Sequence, residues 1–264
     1  MKVLTWNTLF AGLDGSADKR RKLQIEMINE IRPDIFLMQE AKGFELNKQQ
    51  ALFQMESDIA MRGFLGIAPR TGQNTAIFIN PAYHVKSFEA DSTHFHHAAT
   101  FVSVAIPNFD KIVTFGSVHL CPLGPEIRRR EATYLLPYAD PDALSLITGD
   151  FNSLSPHDAE PADWERLSPH FRSRYFDGDN DLADRKVLQL LEMAGFVDCA
   201  RAAKKNNITT VPCAAYNNAE FVNFRCDYML ASRALTNKLS HYTVIKNERT
   251  DQASDHYPVL AEFK

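Results

Sequence analysis

The feature that most constrains this chain is a recurring figure: a short apolar run of strand length that abuts a residue able to bind metal or move a proton. Asn7 ends VLTWN, Glu40 follows DIFLMQ, His119 follows GSV, Asp150 ends LSLITGD, Asp227 opens DYML and His256 precedes YPVLAEF. Apolar runs this short read as buried strands. Residues at strand ends sit where loops build sites. Taken singly each has a plainer role, because Asp and Asn favour turns and a lone His is more often structural. Six such placements in one chain point to one site.

Between these runs the pattern alternates. Val3 to Asn7 reads as a strand, and Asp18 to Ile31 as a helix with Leu23, Met27 and Ile31 on one face, ended by Pro33. Asp34 to Gln39 is a second strand, and Leu46 to Met61 a second helix. Short β-type runs follow at Phe64 to Ala68, Thr75 to Ile79, His84 to Phe88, Thr100 to Ile106 and Lys111 to Val118. After Pro125 the segment EIRRREATYLL opens a helix, and LSLIT delivers Gly149 and Asp150. Ser153 to Asp181, rich in Pro, Asp, Ser and aromatics, reads as a long surface excursion. Asp181 then caps a helix carrying Leu182, Val187, Leu190, Leu191 and Ala194 and closed by Gly195. The last strands are Asp227 to Ala231, Tyr242 to Ile245 and Tyr257 to Phe263. Nothing divides the chain, so residues 1–264 read as a single domain of layered α/β packing.

Composition narrows the function. With 264 residues, 45% of them hydrophobic, the chain can bury a large core. No apolar run approaches the length of a membrane span, and no leader precedes VLTWNTLF, so the expectation is a cytoplasmic protein. Cys121, Cys199, Cys213 and Cys226 are irregularly spaced, which indicates neither a zinc knuckle nor a disulfide framework. A net charge of −4 argues against a broad basic face for nucleic acid, though a local basic lip would still grip a few phosphates.

In order, VLTWNTL, DIFLMQE, GSVHL, LITGDFNS, RCDYML and SDHYPV resemble the successive signature blocks of the endonuclease/exonuclease/phosphatase superfamily, from Asn7 to His256. GDFNS and SDHYPV are the most specific of them. The resemblance implies a DNase I-like four-layer α/β sandwich, with two mixed β-sheets packed face to face and helices outside. It also implies a hydrolase that attacks phosphorus in line with an activated water.

Phosphoester hydrolysis needs a hard cation, a base for water and donors around the transition state. Magnesium, with manganese as a substitute, prefers oxygen ligands and keeps several waters. Glu40 is the first choice of metal ligand, with Asn7 supporting it through its amide oxygen; the resemblance adds Asp255 as a further metal contact. His256 suits a charge-assisted bond to a carboxylate, and the resemblance makes Asp227 its partner. Either His256 or Asp150 activates the water, and Asn152 donates to a phosphate oxygen or holds Asp150. His119 would stabilise the phosphate or assist the leaving group; its block resembles the sphingomyelinase and deadenylase side of the superfamily rather than the abasic-site repair enzymes.

Other clusters are set aside. His94, His96 and His97 read as exposed strand or loop histidines rather than a metal site. Asp177, Asp179 and Asp181 begin like a calcium loop, but Leu182 replaces the required Gly and Leu188 the closing Glu. Arg128 to Arg130, like Lys19 to Lys22, read first as a solvated helix face and second as a phosphate-facing one. The substrate is a nucleic-acid phosphodiester or a small phosphorylated metabolite or lipid headgroup. Ser153 to Asp181 and residues 205–224, with Asn206, Asn207, Tyr216, Asn217 and Phe221, would shape that choice. No obligate protein partner is indicated, and a catalytically inactive binding module of the same fold is the rival from another class.

Overall fold

In β-strands successive side chains face opposite ways. Here both faces of the central strands are covered, so the strands read as nearly unbroken apolar runs. The structure, a computed structural model, describes residues 1–176, 182–216 and 220–264. Its strands are β1 (Lys2–Asn7), β2 (Ile35–Gln39), β3 (Arg62–Gly66), β4 (Thr75–Ile79), β5 (His84–Asp91), β6 (Ala99–Ala105), β7 (Val113–His119), β8 (Leu144–Asp150), β9 (Val197–Asp198), β10 (Asp227–Ala231), β11 (Leu239–Val244) and β12 (Val259–Phe263). They form two six-stranded sheets, ordered β11-β12-β1-β2-β4-β3 and β5-β6-β7-β8-β10-β9. β1 pairs with β2 in parallel, as β7 does with β8, and the other pairings are antiparallel, so both sheets are mixed.

The sheets pack on each other through one set of alternate positions. Val3, Ile35, Leu37 and Ile77 of the first meet Val102, Phe115, Leu146 and Met229 of the second. Each such side chain contributes roughly 1.5–3 kcal/mol by leaving water. The opposite positions face helices. Leu4, Phe36 and Met38 pack under α1 (Lys19–Ile31) and α2 (Gln50–Ile59), through Met27, Ile28, Leu52 and Met55. Phe101, Val118, Ile147 and Leu230 pack under α3 (Pro125–Thr133) and, beyond the single turn α4 (Pro169–Arg172), under α5 (Lys186–Ala194). The result is a four-layer α/β sandwich of the DNase I-like kind. No helix of the described residues is long and apolar enough to cross a membrane.

Toward one end the inter-sheet layer changes from apolar to polar, two residues at a time. Along β1 it runs Val3, Thr5, Asn7; along β2 Ile35, Leu37, Gln39; along β7 Phe115, Ser117, His119; along β8 Leu146, Thr148, Asp150. The buried polar atoms bond across the gap: Gln39 Nε2 donates to Ser117 Oγ (3.0 Å), and the Thr75 and Thr100 hydroxyls meet at 2.7 Å.

Three expectations are corrected. The second helix starts at Gln50, after a turn in which Lys48 and Gln49 adopt left-handed backbone, rather than at Leu46. The helix closed by Gly195 begins at Lys186, and Leu182 is exposed; the expected Asp181 cap lies outside the described residues, as do Asp177, Asp179 and Asn217. The described part of the Ser153 to Asp181 segment is not a loose excursion. Leu154, Trp164, Leu167 and Tyr175 are buried with Val211, Phe221 and Phe224 in a core of their own.

Candidate active site

The polar end of the inter-sheet layer opens into a cleft of about 270 Å³. Two rungs of the sheets deliver most of its chemistry. In the second sheet His119 and Asp227 are both register partners of Asp150, so three strands bring their functional residues to one level. In the first sheet Asn7 pairs with Gln39. Glu40, next along, would continue toward the outer face, but its backbone turns left-handed (φ 59°) and swings the carboxylate into the cleft, where it accepts from Asn7 Nδ2 (3.2 Å) and the Phe10 N–H (3.0 Å).

His256 comes from a loop stitched to the other end of the chain. Ser254 Oγ donates to the Asn7 carbonyl (2.7 Å), and Trp6 Nε1 donates to the His256 carbonyl (2.8 Å). The WN and SDH segments are therefore one structural unit. His256 Nδ1 lies 2.9 Å from Asp227 Oδ2, the pairing that the sequence leads one to expect. Asp150 Oδ2 is the hub, 3.1 Å from Asn7 Nδ2, 3.4 Å from His119 Nε2 and 3.6 Å from His256 Nε2.

The structure thus gathers all eight candidate residues, Asn7, Glu40, His119, Asp150, Asn152, Asp227, Asp255 and His256, around one cleft. Asn7 is used differently from expectation, and Asn152 takes the second of its two expected roles. Asn7 presents its amide nitrogen to the carboxylates while Oδ1 accepts from the Leu9 N–H (3.2 Å), so a role as an oxygen ligand is not what its hydrogen bonds show. Asn152 spends its Nδ2 on the Leu120 carbonyl (2.9 Å) and holds Asp150 through its own backbone N–H (2.8 Å to Oδ1), an Asx turn.

Several residues escaped the sequence reading. His97 is buried against the His119 ring instead of exposed. Arg128 is buried, bonding Ser153 Oγ and the Cys121 and Arg174 carbonyls, while Arg129 and Arg130 line a separate depression with Lys186. Cys226 Sγ lies 3.5 Å from Asp227 Oδ2 and 3.8 Å from His256 Nδ1. Its only signal in the sequence is adjacency to Asp227.

Burial sets the electrostatics. It pushes Glu40 up to about 7, helped by the Asp255 charge, and raises Asp255 as well. It pushes Asp150 up to about 6, opposed by the charge of His256. Burial alone would lower His256, but Asp227, Asp150 and Asp255 outweigh it and hold the imidazole well above its ordinary value. His119 goes the other way, kept neutral by burial and by the neighbouring His97 and His256.

Buried carboxylates raised by burial and by a neighbouring carboxylate, as Glu40 is by Asp255, are what a divalent cation would relieve, and their oxygens suit a hard ion. Glu40 and Asp255 fit that role. A tighter group, Asp150, Cys226 and His256, has its potential ligand atoms within 4.8 Å. Its sulfur and imidazole nitrogen are softer donors, suited to a different ion from the hard cation that the carboxylates would hold.

Known proteins share the sequence pattern and the fold. Residues 4–256 match the model of the endonuclease/exonuclease/phosphatase family. An AP endonuclease from Archaeoglobus fulgidus superposes with a TM-score of 0.69 at 21% identity, covering 100% of this chain and 99% of that one. D. rerio TDP2 complexed with single strand DNA product gives 0.68 at 16% identity, over 100% and 98%. The human Nocturnin catalytic domain with bound sulfate gives 0.65 at 15%, over 100% and 94%. No curated protein matches at a significant level. With its two packed mixed sheets, its strand-end carboxylates and imidazoles, and a family match from Leu4 to His256, the chain belongs to the endonuclease/exonuclease/phosphatase family.

Proposed function

We propose that this protein is a divalent-metal-dependent phosphodiesterase of nuclease type, using magnesium with manganese as a substitute. The observation that carries this reading is the convergence on Asp150 Oδ2 of one amide and two imidazoles, one of them backed by Asp227. His256, with Nδ1 given to Asp227 and Nε2 facing Asp150, is arranged as a donor, which leaves Asp150 to accept the proton of the attacking water. Asn7 and the Asn152 N–H orient the Asp150 carboxylate. His119 donates to a phosphoryl or leaving-group oxygen from the other side. Glu40 and Asp255 would hold the cation, which when bound offsets charge on the non-bridging oxygens.

Among the cleft-lining residues, Glu40, Asp150, Asp255 and Glu220 face one guanidinium, Arg174, itself paired with Glu220 at 3.2 Å. That balance supports a second reading, in which the substrate is a short or small phosphoester rather than a long duplex. The solved structures of an AP endonuclease and of a protein complexed with single strand DNA product keep nucleic acid as the first choice. A cytoplasmic setting fits four buried cysteines that are all free.

The test is turnover of bis-p-nitrophenyl phosphate, p-nitrophenyl phosphate, single- and double-stranded DNA, RNA, sphingomyelin and inositol phosphates, with magnesium, manganese or EDTA. Metal-dependent turnover lost in Glu40→Ala and in His256→Ala supports the proposal and names the substrate class. Silence on every substrate by folded, metal-loaded protein would favour the inactive binding module.

A further inference from the structure

We propose that His97 is a positioning residue for His119: its ring packs against the His119 ring and fixes the plane in which His119 Nε2 meets Asp150 and the cleft. The inference rests on the hydrolase reading, which gives His119 its task. The two ring centroids are 4.4 Å apart with an interplanar angle of 32°, a close, tilted ring-on-ring contact. His97 is 4% exposed and His119 5%.

The segment that carries His97 is anchored on both sides. Phe95 is buried in the outer core of the second sheet, the His96 N–H donates to Glu131 Oε1 of α3 (2.6 Å), and the Ala98 carbonyl accepts from Thr75 Oγ1 of β4 (3.2 Å). The ring is fixed in turn by Thr71, whose Oγ1 lies 2.8 Å from His97 Nδ1. The same hydroxyl accepts the Gln73 N–H (3.3 Å), which holds Thr71 beside the ring.

Neither His97 Nε2 nor His119 Nδ1 has a hydrogen-bond partner among the described residues. A buried polar atom left unpaired costs roughly 1–3 kcal/mol, and a phenyl or leucyl side chain would fill the space without that cost. What histidine adds to a flat face is the Thr71 bond, which fixes the plane of the ring. Among the described residues the group of three potential metal ligands within 4.8 Å of one another is Asp150, Cys226 and His256, and His97 is not part of it. What the arrangement does supply is a flat, uncharged plate, because burial pushes His97 down to about 3 and keeps it from repelling His119.

Crystal structures of His97→Ala, His97→Leu and His97→Phe test the geometry whether or not a substrate is known. Leucine replaces the volume without the flat ring, and phenylalanine keeps the ring. His119 should leave its place beside Asp150 by more than about 1 Å in the Ala and Leu variants and stay in the Phe variant; an unmoved His119 in both Ala and Leu overturns the proposal. In kinetics on aryl phosphodiesters, His97→Ala and His97→Leu should lower kcat about ten- to a hundredfold with KM within about twofold. The loss should be larger for a phenyl than for a p-nitrophenyl leaving group, and His97→Phe should stay within about threefold of wild type. In a His119→Ala background His97→Ala should have no further effect; an equal loss there would mean that His97 acts independently, and the proposal fails. A wild type inactive on every phosphoester defeats the hydrolase reading, and the structures still decide whether His97 holds His119.

Discussion

Gly149 immediately precedes the hub carboxylate, and its replacement by alanine tests how tightly the fold fixes the site. Its φ is +136°, where side chains are rarely tolerated, and a Cβ there would lie 2.0 Å from the Val118 carbonyl oxygen and 3.0 Å from Gln39 Nε2. Backbone strain of this kind costs about 1–3 kcal/mol. Relieving the first contact requires β7 and β8 to separate by about 1 Å, an overpacking cost of another 1–3 kcal/mol. Gly149→Ala should therefore destabilise by about 4 kcal/mol, lowering Tm by roughly 10 °C for a domain of this size. Gly72→Ala is the control, with φ +68° but nothing within 4 Å of the added methyl, and should cost only about 1–2 kcal/mol. Because the displaced strands carry Asp150 and His119, kcat of Gly149→Ala should also fall about a hundredfold where it is still folded. Urea unfolding of both variants, with turnover measured well below the melting range, reads the two effects. If Gly149→Ala comes within 1 kcal/mol of Gly72→Ala, the close approach of β7 to β8 is not what requires glycine.

Asp227→Asn replaces the carboxylate 2.9 Å from His256 Nδ1 by an amide that cannot stabilise an imidazolium, and should lower kcat by at least about a hundredfold with KM little changed; a loss under threefold would remove Asp227 from the mechanism. Arg129→Ala/Arg130→Ala should leave kcat and KM for a small phosphodiester within about twofold, because both side chains line a depression apart from the cleft, and a severalfold rise in KM would revive them as substrate contacts. Acid stability provides the last check. The folded value of His97, about 3, lies below its ordinary 6.5, so the unfolded chain takes up this proton first and stability is lost as pH falls below 6.5. At pH 5 the loss from this one group is about 2 kcal/mol, so the drop in unfolding free energy from pH 7 to pH 5 should be smaller by about that amount in His97→Phe; an equal drop would mean that His97 is not held neutral.

The sheets were legible because their strands are buried on both faces, and apolar runs such as IFLM and LSLI report that burial directly. Thr75–Ile79 and Asp227–Ala231 have the predicted bounds. Helix starts were harder. Leu46 looks like the first turn of an amphipathic helix, yet it is exposed and precedes a run of left-handed residues, a backbone choice that no period reports. The aromatic-rich segment after Ser153 failed for a related reason. Its buried Trp164 and Tyr175 are too sparsely spaced to show a period, and they find partners in Val211 and Phe224, far along the chain.

Site positions were legible where site roles were not, and the strand alternation explains both. Asn7, Gln39, His119 and Asp150 continue the same set of alternate positions that builds the inter-sheet core, so the polar end of each apolar run is aimed into the one gap the sheets leave open. Side chains at those positions enter the inter-sheet layer or the cleft at its end. How they are used depends on contacts made across the gap: which face of the Asn7 amide meets Glu40, and which neighbour packs against His119. His97 belongs to this second kind. It lies just before β6, outside the apolar run, and only the packing of that strand's entry against β7 turns a histidine-rich loop into part of the site.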